Sequence, residues 1–249
     1  MRSVPGREGT VRLVSYNIHK GIGGRDLRYR LERICQVIEE QEPDVVCLQE
    51  VAWHARRTCH HDQPQILARH LDAHDACFQI NVRYRQGGYG NLLLSHWPLR
   101  QKHHLSLRLD RRKPRGAQLV VVDTPRGELF LTNWHLGLSE SERHWQARHL
   151  LRHPVFRASA HLPTLIAGDF NDWRDTLARG PFAEHAFDQV TGPPSRFRSF
   201  PAYMPLLSLD KMFHRGGISI HAAHLVRTPL SRRASDHLPL VVDFELASF

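Results

Sequence analysis

The sequence predicts a mixed α/β domain, and three observations support this fold class. Segments with a strand pattern outnumber segments with a helical period. One pair of strands is joined directly by a short turn, whereas helices separate other strands, so a strictly alternating βαβ fold is not expected. No shift in composition divides the 249 residues. We therefore expect a flexible N-terminal segment at residues 1–9 and a single domain at residues 10–249.

The first half of the chain contains both kinds of element. Apolar and polar residues alternate at 11–18, which predicts a strand. Apolar residues with a helical period predict a helix at 27–41, and a short apolar run at 44–51 predicts a buried strand that ends in an acidic residue. A second helix is predicted at 66–74 and another strand at 90–95.

The second half begins with the hairpin. Residues 117–123 and 128–136 are predicted strands, and the Thr-Pro-Arg-Gly sequence between them is typical of a turn. Ser139 followed by Glu142 is a capping-box pattern, which predicts a helix that extends to about residue 153. Four further strands are predicted at 164–167, 209–214, 218–225 and 238–246.

Composition limits the environment and the partners of the protein. The formal net charge is +9, which favours polyanionic partners such as nucleic acid or an anionic lipid surface. The sequence contains no apolar run of membrane-spanning length, and its first nine residues lack the apolar core of a signal peptide. The four cysteines show no Cys-x-x-Cys spacing and are expected to be reduced. We expect a soluble cytoplasmic protein, with a monomer favoured.

Polar and charged residues recur where apolar strands end or adjoin loops. Any one of them could be an ordinary turn residue, but strand ends can converge at one edge of a sheet. Carboxylates and an amide favour a hard cation such as Mg²⁺, with Mn²⁺ as the alternative, and histidines can donate hydrogen bonds to phosphate. The residues concerned are Asn17, Glu50, His135, Asp169, Asn171, Asp210, Asp236 and His237.

Seven motifs together resemble the endonuclease/exonuclease/phosphatase superfamily, which has the deoxyribonuclease I-like fold. They follow the order of that family and span residues 11–244, nearly the whole chain. The motifs are Ser-Tyr-Asn-Ile-His at 15–19, Leu-Gln-Glu-Val at 48–51, Gly-Asn-Leu-Leu-Leu-Ser at 90–95, Trp-His-Leu at 134–136, Gly-Asp-Phe-Asn at 168–171, Ser-Phe-Pro at 199–201 with Leu-Asp at 209–210, and Ser-Asp-His-Leu-Pro-Leu at 235–240.

This resemblance implies a four-layer sandwich, in which two mixed β-sheets pack face to face and helices cover their outer faces. It also implies a metal site. Glu50 is expected to be the main metal ligand, with Asn17 and Asp236 nearby, either directly or through water.

The resemblance implies further roles around the reacting phosphate. Asp169 is expected to position or activate the attacking water. Asn171, His135 and His237 are expected to hold the phosphoryl oxygens, and Asp210 to orient His237.

The substrate is left open among several phosphate esters. Nucleic acid, DNA in particular, is the first choice, and the alternatives are a phospholipid or sphingomyelin-type phosphodiester and an inositol phosphate. Trp134 and Lys211 depart from the commonest nuclease pattern, which keeps those alternatives open. A catalytically inactive binding module on the same fold is the remaining hypothesis, and the intact set of catalytic residue types argues against it.

Three residues outside this set are candidates for substrate binding. Tyr89 precedes the 90–95 strand and would either reach the phosphate or pack against a loop. Asn91 lies within that strand. Arg196 belongs to an Arg-Phe-Arg stretch, which suits nucleotides or anionic lipid head groups but is also compatible with an ordinary solvated loop.

Overall fold

The structure is a computed structural model and describes residues 9–247. The predicted flexible segment at 1–9 therefore lies, except for Gly9, outside the described residues. The strands in the described part are β1 Val11–Asn17, β2 Val45–Trp53, β3 Asp75–Arg83, β4 Gly88–Ser95, β5 Leu99–Ser106, β6 Gly116–Thr124, β7 Gly127–His135, β8 Thr164–Asp169, β9 Asp188–Gln189, β10 Asp210–Arg215, β11 Ile218–Leu225 and β12 Leu240–Leu246. The helices are α1 Leu31–Glu39, α2 Gln63–His70, α3 Glu140–Arg152, α4 Pro154–Ala158, α5 Thr176–Arg179 and α6 Ser231–Ala234.

The strands form two six-stranded mixed sheets. The order in the first sheet is β11-β12-β1-β2-β4-β3, and the order in the second is β5-β6-β7-β8-β10-β9. Each sheet has one parallel pair near its centre, β1 with β2 and β7 with β8, and its other pairs are antiparallel. The predicted pair of packed mixed sheets is confirmed.

The main core lies between the two sheets. Residues such as Leu13 and Leu93 of the first sheet share one buried cluster with Val120, Leu131 and Leu165 of the second. Side chains alternate between the two faces of a sheet, so each sheet also has apolar side chains on its outer face that must be buried by other elements. Helices α1 and α2 contribute to the cluster on the outer face of the first sheet, and α3, α4 and α5 to that of the second. Burial of each large aliphatic side chain stabilises the fold by about 1.5–3 kcal/mol.

Strand β2 continues beyond the position at which it was predicted to end. The pairing of β2 with β4 jumps at Glu50, because Leu48 pairs with Leu92 but Val51 pairs with Gly90. Glu50 has a φ of +56°, and this irregularity is a β-bulge. At the bulge Glu50 is not paired with a residue of β4, while the pairing of β2 with β4 continues beyond it. Glu50 therefore does not terminate the strand.

Several elements differ from the sequence prediction. Strands β3, β5 and β9 and the short helices α4, α5 and α6 were not predicted. The β5 sequence, Leu-Arg-Gln-Lys-His-His-Leu-Ser, has mainly polar side chains because it lies at a sheet edge. Helix α2 begins earlier than expected because Asp62 caps it, accepting a hydrogen bond of 3.0 Å from the Gln65 N–H.

The other predictions concern the N-cap of α3, the cysteines and the environment of the protein. Ser139 caps α3 as predicted, accepting a hydrogen bond from the Glu142 N–H. All four cysteines are free thiols, and only Cys59 is exposed. In the described part of the chain no helix is long and apolar enough to cross a membrane. Cytoplasmic localisation and the monomeric state stay predictions.

Candidate active site

Ends of strands from both sheets meet at the candidate site. In the second sheet His135 at the end of β7 pairs with Asp169 at the end of β8, and Asp169 pairs with Asp210 on β10. From the first sheet Asn17, at the end of β1, donates a hydrogen bond of 3.0 Å from Nδ2 to Asp169 Oδ2. Four of the eight predicted site residues, Asn17, His135, Asp169 and Asp210, therefore lie together where the two sheets meet.

Asp169 lies at the centre of this group. Its carboxylate is buried and also accepts a 3.0 Å hydrogen bond from the Asn171 N–H, while His135 Nε2 and His237 Nε2 lie 3.3 and 3.8 Å from Oδ2. Burial, with a further contribution from the negative charge of Asp210, raises the pKa of Asp169 to about 6, although the positive charge of His237 opposes this shift. A carboxylate with this pKa suits proton transfer near neutral pH.

His237 forms a buried ion pair with Asp210. Its Nδ1 atom lies 2.8 Å from Asp210 Oδ2, and both residues are buried. Burial alone would lower the pKa of His237, but the carboxylates of Asp210 and Asp169 outweigh it and raise the pKa to about 10. The imidazolium form is therefore stabilised, and its Nε2–H is directed toward Asp169 and the site.

Asp210 is the first residue of β10, one residue after the predicted start of that strand at 209. The preceding segment folds back through an isolated bridge between Phe200 and Leu207. The hydroxyl oxygen of Ser199 then accepts a hydrogen bond of 3.3 Å from the Asp210 N–H. This return loop presents the carboxylate to His237.

His135 has the opposite electrostatic character. Burial, together with the positive charges of Arg115 and His237, holds its pKa well below its usual range. A neutral imidazole can donate one ring N–H to a phosphoryl oxygen. Asn171, with φ +51°, uses its side-chain amide to donate a 3.0 Å hydrogen bond to the carbonyl oxygen of Leu136, which ties it to the segment that follows His135.

The predicted metal ligands lie on the side of the first sheet. Asn17 pairs in register with Gln49, the neighbour of Glu50, and the Ser235 hydroxyl donates a 2.7 Å hydrogen bond to the Asn17 carbonyl oxygen. Ser235 precedes Asp236, so both acidic residues lie near the end of β1. No group of three or more His, Cys, Asp and Glu side chains within residues 9–247 is arranged to hold a metal ion.

The chemistry of these residues nevertheless fits a hard cation. Glu50, Asp236 and Asn17 offer oxygen donors, which are the donors that Mg²⁺ prefers. The ammonium group of Lys20 forms an ion pair with Glu50, so a positive group already lies where a cation would be attracted. Burial would raise the pKa of Glu50, but Lys20 outweighs it and holds the pKa below its usual range.

The three candidate substrate residues have different surroundings. The ring of Tyr89 is buried and lies beneath Lys20 Nζ and Lys113 Nζ, at 4.6 and 5.5 Å from its centroid. Asn91 is buried beside the β2 bulge and donates a 2.9 Å hydrogen bond to the Gly116 carbonyl oxygen. Arg196 is exposed on a short turn next to the Phe200–Leu207 loop.

Sequence reasoning missed basic residues at the site. Lys20 pairs with Glu50 from a left-handed backbone conformation, which no sequence pattern indicated. Arg115 was not among the predicted site residues, yet it is buried, and its Nε has no hydrogen-bond partner within the described residues. It immediately precedes Gly116, which pairs with His135, so the hairpin register was the signal that could have located it.

A family model and a relative from Escherichia coli both match this chain over most of its length. A model of the endonuclease/exonuclease/phosphatase family matches residues 14–237. The uncharacterized protein YbhP of Escherichia coli strain K12 is 29% identical over 249 residues, which cover 94% of this chain and 96% of YbhP.

Solved structures support the fold. An endonuclease/exonuclease/phosphatase from Beutenbergia cavernae DSM 12333 aligns with a TM-score of 0.82 and 24% identity, covering 96% of this chain and 72% of that one. The human Nocturnin catalytic domain with bound sulfate anion aligns with a TM-score of 0.70 and 21% identity, covering 98% and 96% of the two chains.

Proposed function

The chain belongs to the endonuclease/exonuclease/phosphatase family, and we propose that it is a Mg²⁺-dependent phosphodiesterase. Members of this family are generally hydrolases that act on phosphoester bonds. The observation that carries the proposal is the buried Asp169, whose carboxylate accepts a hydrogen bond from Asn17 of the first sheet. The same carboxylate lies 3.3 Å from Nε2 of His135 on the second sheet and 3.8 Å from Nε2 of His237. These groups could position water, hold phosphate oxygens and transfer a proton within one small volume.

The reaction begins with a water molecule held by Asp169. The carboxylate accepts a proton as the water oxygen forms a bond to phosphorus. The ester P–O bond on the opposite side breaks, and the leaving oxygen takes up a proton from solvent water to give an alcohol, while Asp169 releases its proton to solvent. The other product is a phosphomonoester. Asn17 and the Asn171 N–H hydrogen-bond to Asp169 and fix its orientation.

Histidine and amide groups stabilise the charge that develops on the phosphate. The His237 imidazolium, oriented by Asp210, and the neutral His135 both direct Nε2 toward Asp169. Hydrogen-bond donors that are already held in place by a buried site stabilise the transition state without having to reorient during the reaction. A bound Mg²⁺ would supply positive charge to the phosphoryl oxygens, and Glu50, Asn17 and Asp236 would hold it.

Two substrate classes compete within this chemistry. The net charge of +9 supports nucleic acid, which is also the first choice from the sequence. A specific observation supports a lipid phosphodiester instead, since large apolar side chains are exposed on segments that carry or flank site residues. Phosphate is the common feature of both classes, so the chemical test can use a small soluble diester.

Hydrolysis of bis(4-nitrophenyl) phosphate tests the proposed reaction. The wild-type protein should be active in Mg²⁺ and inactive in excess EDTA. Asp169→Asn should lower kcat by about 10²–10⁴-fold, because it removes the group that accepts the proton. Asp188→Asn is the matched control, since Asp188 is exposed on β9 of the same sheet, and it should leave kcat unchanged.

A single turnover in ¹⁸O-labelled water tests direct attack. One labelled oxygen should enter the phosphomonoester product. A phosphorylated protein trapped by acid, or an Asp169→Asn variant with full activity, would overturn the proposed mechanism.

A further inference from the structure

Large exposed apolar side chains concentrate on segments next to the site. Nine large hydrophobic residues are exposed in the described part of the chain, and six of them occupy three short segments that also carry or adjoin site residues. We call these six the apolar rim, and their exposed fractions range from 36% to 68%. They are Leu138, Trp173, Tyr203, Met204, Leu206 and Leu207.

Each rim segment is tied to a residue of the site. Leu138 follows His135 by three residues, and its carbonyl oxygen accepts a 2.6 Å hydrogen bond from Arg143. Trp173 follows Asn171 by two residues, and the Arg143 guanidinium lies 5.4 Å from the centroid of its ring. The same buried arginine therefore supports both segments.

The third segment is the loop at 200–207. The Phe200 carbonyl oxygen accepts hydrogen bonds of 2.8 Å from both the Leu206 and the Leu207 N–H groups, and the Ala202 N–H donates a 2.7 Å hydrogen bond to the Asp236 carbonyl oxygen. The Phe200 ring lies 5.0 Å from the His237 ring. The loop is thus fixed to the site by its backbone, while its four rim side chains, Tyr203, Met204, Leu206 and Leu207, are exposed.

Six large apolar side chains grouped around one site indicate a surface that contacts another molecule. A single exposed leucine is normal, whereas grouped apolar side chains around a site mark a surface that is covered during function. Most of the rim is aliphatic. Leu138, Met204, Leu206 and Leu207 offer no ring on which a nucleotide base could stack, and a phosphate backbone gives aliphatic groups no favourable contact.

Basic side chains accompany the apolar ones. Arg174 directly follows Trp173, and Arg196 and Arg198 precede the loop at 200–207; all three are exposed. Apolar side chains combined with arginines match a bilayer interface, where the former enter the acyl boundary and the latter contact anionic head groups. The net charge of +9 is complementary to such a surface.

We propose that the apolar rim docks on an anionic lipid bilayer, and that the phosphodiester delivered to Asp169 belongs to a phospholipid head group. This proposal rests on the proposed phosphodiesterase function. Docking would place the open side of the site against the head-group layer, where the density of phosphodiesters is high. Water would cleave one P–O bond and give a phosphomonoester and an alcohol, as with a soluble diester.

Vesicle binding by the full chain tests the docking. Cosedimentation should be measured with vesicles of phosphatidylcholine alone and with added phosphatidylglycerol. The wild-type protein should bind the anionic vesicles more tightly, and added salt should weaken this binding. The double variant Met204→Ser/Leu206→Ser should bind at least about tenfold more weakly, because two side chains lose their transfer into an apolar phase. Ile66→Ser is the control, since Ile66 is exposed on α2, outside the rim.

Two activities separate docking from chemistry. The double variant should lose at least about tenfold in hydrolysis of phosphatidylglycerol in vesicles and keep its hydrolysis of bis(4-nitrophenyl) phosphate. Wild-type activity on the soluble diester without vesicle binding would overturn docking and leave the proposed function standing. Vesicle binding that depends on the rim, without hydrolysis of any diester, would overturn the proposed function and leave the docking surface standing.

Nucleic acid provides the remaining comparison. Binding of single-stranded and duplex DNA should be equal for the double variant and for Ile66→Ser. DNA binding that depends on Met204 and Leu206, together with vesicle binding that does not, would overturn the proposal in favour of a nucleic-acid substrate.

Discussion

Replacing Asp210 by Asn tests whether the charge of Asp210 acts through His237. The substitution keeps the shape of the side chain and a carbonyl oxygen that can accept the 2.8 Å hydrogen bond from Nδ1. It removes the negative charge that stabilises the imidazolium. Asp210 Oδ1 is buried without a hydrogen-bond partner in the described structure, so an amide nitrogen placed there would be unsatisfied and would cost about 1–3 kcal/mol of stability.

The expected kinetic effect follows from the role of His237. Loss of one preorganised donor to a transition-state oxygen costs about 2.7–4 kcal/mol, or 10²–10³-fold in kcat. His237→Ala removes the donor and should show this whole loss. Asp210→Asn keeps the donor but removes its charge, so we expect a loss of about ten- to a thousandfold, no larger than that of His237→Ala.

The double variant decides whether the two residues act as a unit. Once His237 is absent, Asp210 has no imidazole to orient, so the double variant should lose little more activity than His237→Ala alone. Independent residues would give multiplied losses. The assay is kcat for bis(4-nitrophenyl) phosphate in Mg²⁺, measured together with the melting temperature of each variant.

A neighbouring carboxylate provides the control. Asp175 forms an ion pair with Lys211, the residue after Asp210, but has no contact with His237 in the described structure. Asp175→Asn should lower the melting temperature without lowering kcat. Multiplicative losses for Asp210→Asn and His237→Ala, or an Asp210→Asn variant that loses stability and keeps full kcat, would refute the pairing as a catalytic device.

Two further predictions concern the metal and the capping of α3. Glu50→Gln should weaken Mg²⁺ binding at least about tenfold in calorimetric titration, because a carboxylate ligand is lost. Lys20→Gln should strengthen Mg²⁺ binding, because it removes the ammonium group that competes for Glu50; equal affinities in all three proteins would refute both expectations. Ser139→Ala should cost about 1 kcal/mol and lower the melting temperature by about 2–4 °C, because the N-cap of α3 is lost. Ser141→Ala, exposed within the same helix, should show no such loss, and an equal loss in both variants would contradict the capping argument.

Residue types at the candidate site could be read from the sequence, because several of them end apolar strands. Asp169 and His135 each follow an apolar strand, and strand ends can be recognised from their alternation with polar loops. The parallel pairing of β7 with β8 brings these two residues into register, and that pairing depends on contacts distant in sequence. The residue types at the site could therefore be predicted from the sequence, but the distances between their side chains could not.

The features that sequence reasoning missed depend on backbone geometry or on exposure. The β-bulge at Glu50 arises from pairing between β2 and β4, and nothing in Leu-Gln-Glu-Val distinguishes a bulge from a strand end. The burial of Arg115 depends on the packing of the two sheets. Leucine is a residue type that is usually buried, whereas Leu206 and Leu207 are exposed on a return loop.

The site is divided between the two sheets, so its geometry depends on how the sheets pack. Glu50 and Asn17 belong to the first sheet, whereas His135 and Asp169 belong to the second. An apolar core alone would tolerate a small shift of one sheet against the other, since hydrophobic contacts lack direction. A buried hydrogen bond of 2.8 Å from Gln49 Nε2 to Asn133 Oδ1 crosses this core, and the Asn133 side chain also donates to the carbonyl oxygens of Leu48 and Leu92 at 3.1 Å. Gln49 is adjacent to Glu50, and Asn133 is two residues before His135. Because sliding of the sheets would break these buried hydrogen bonds and leave their donors unpaired, this link opposes such movement. It therefore holds the metal-binding and phosphate-binding halves of the proposed site in register.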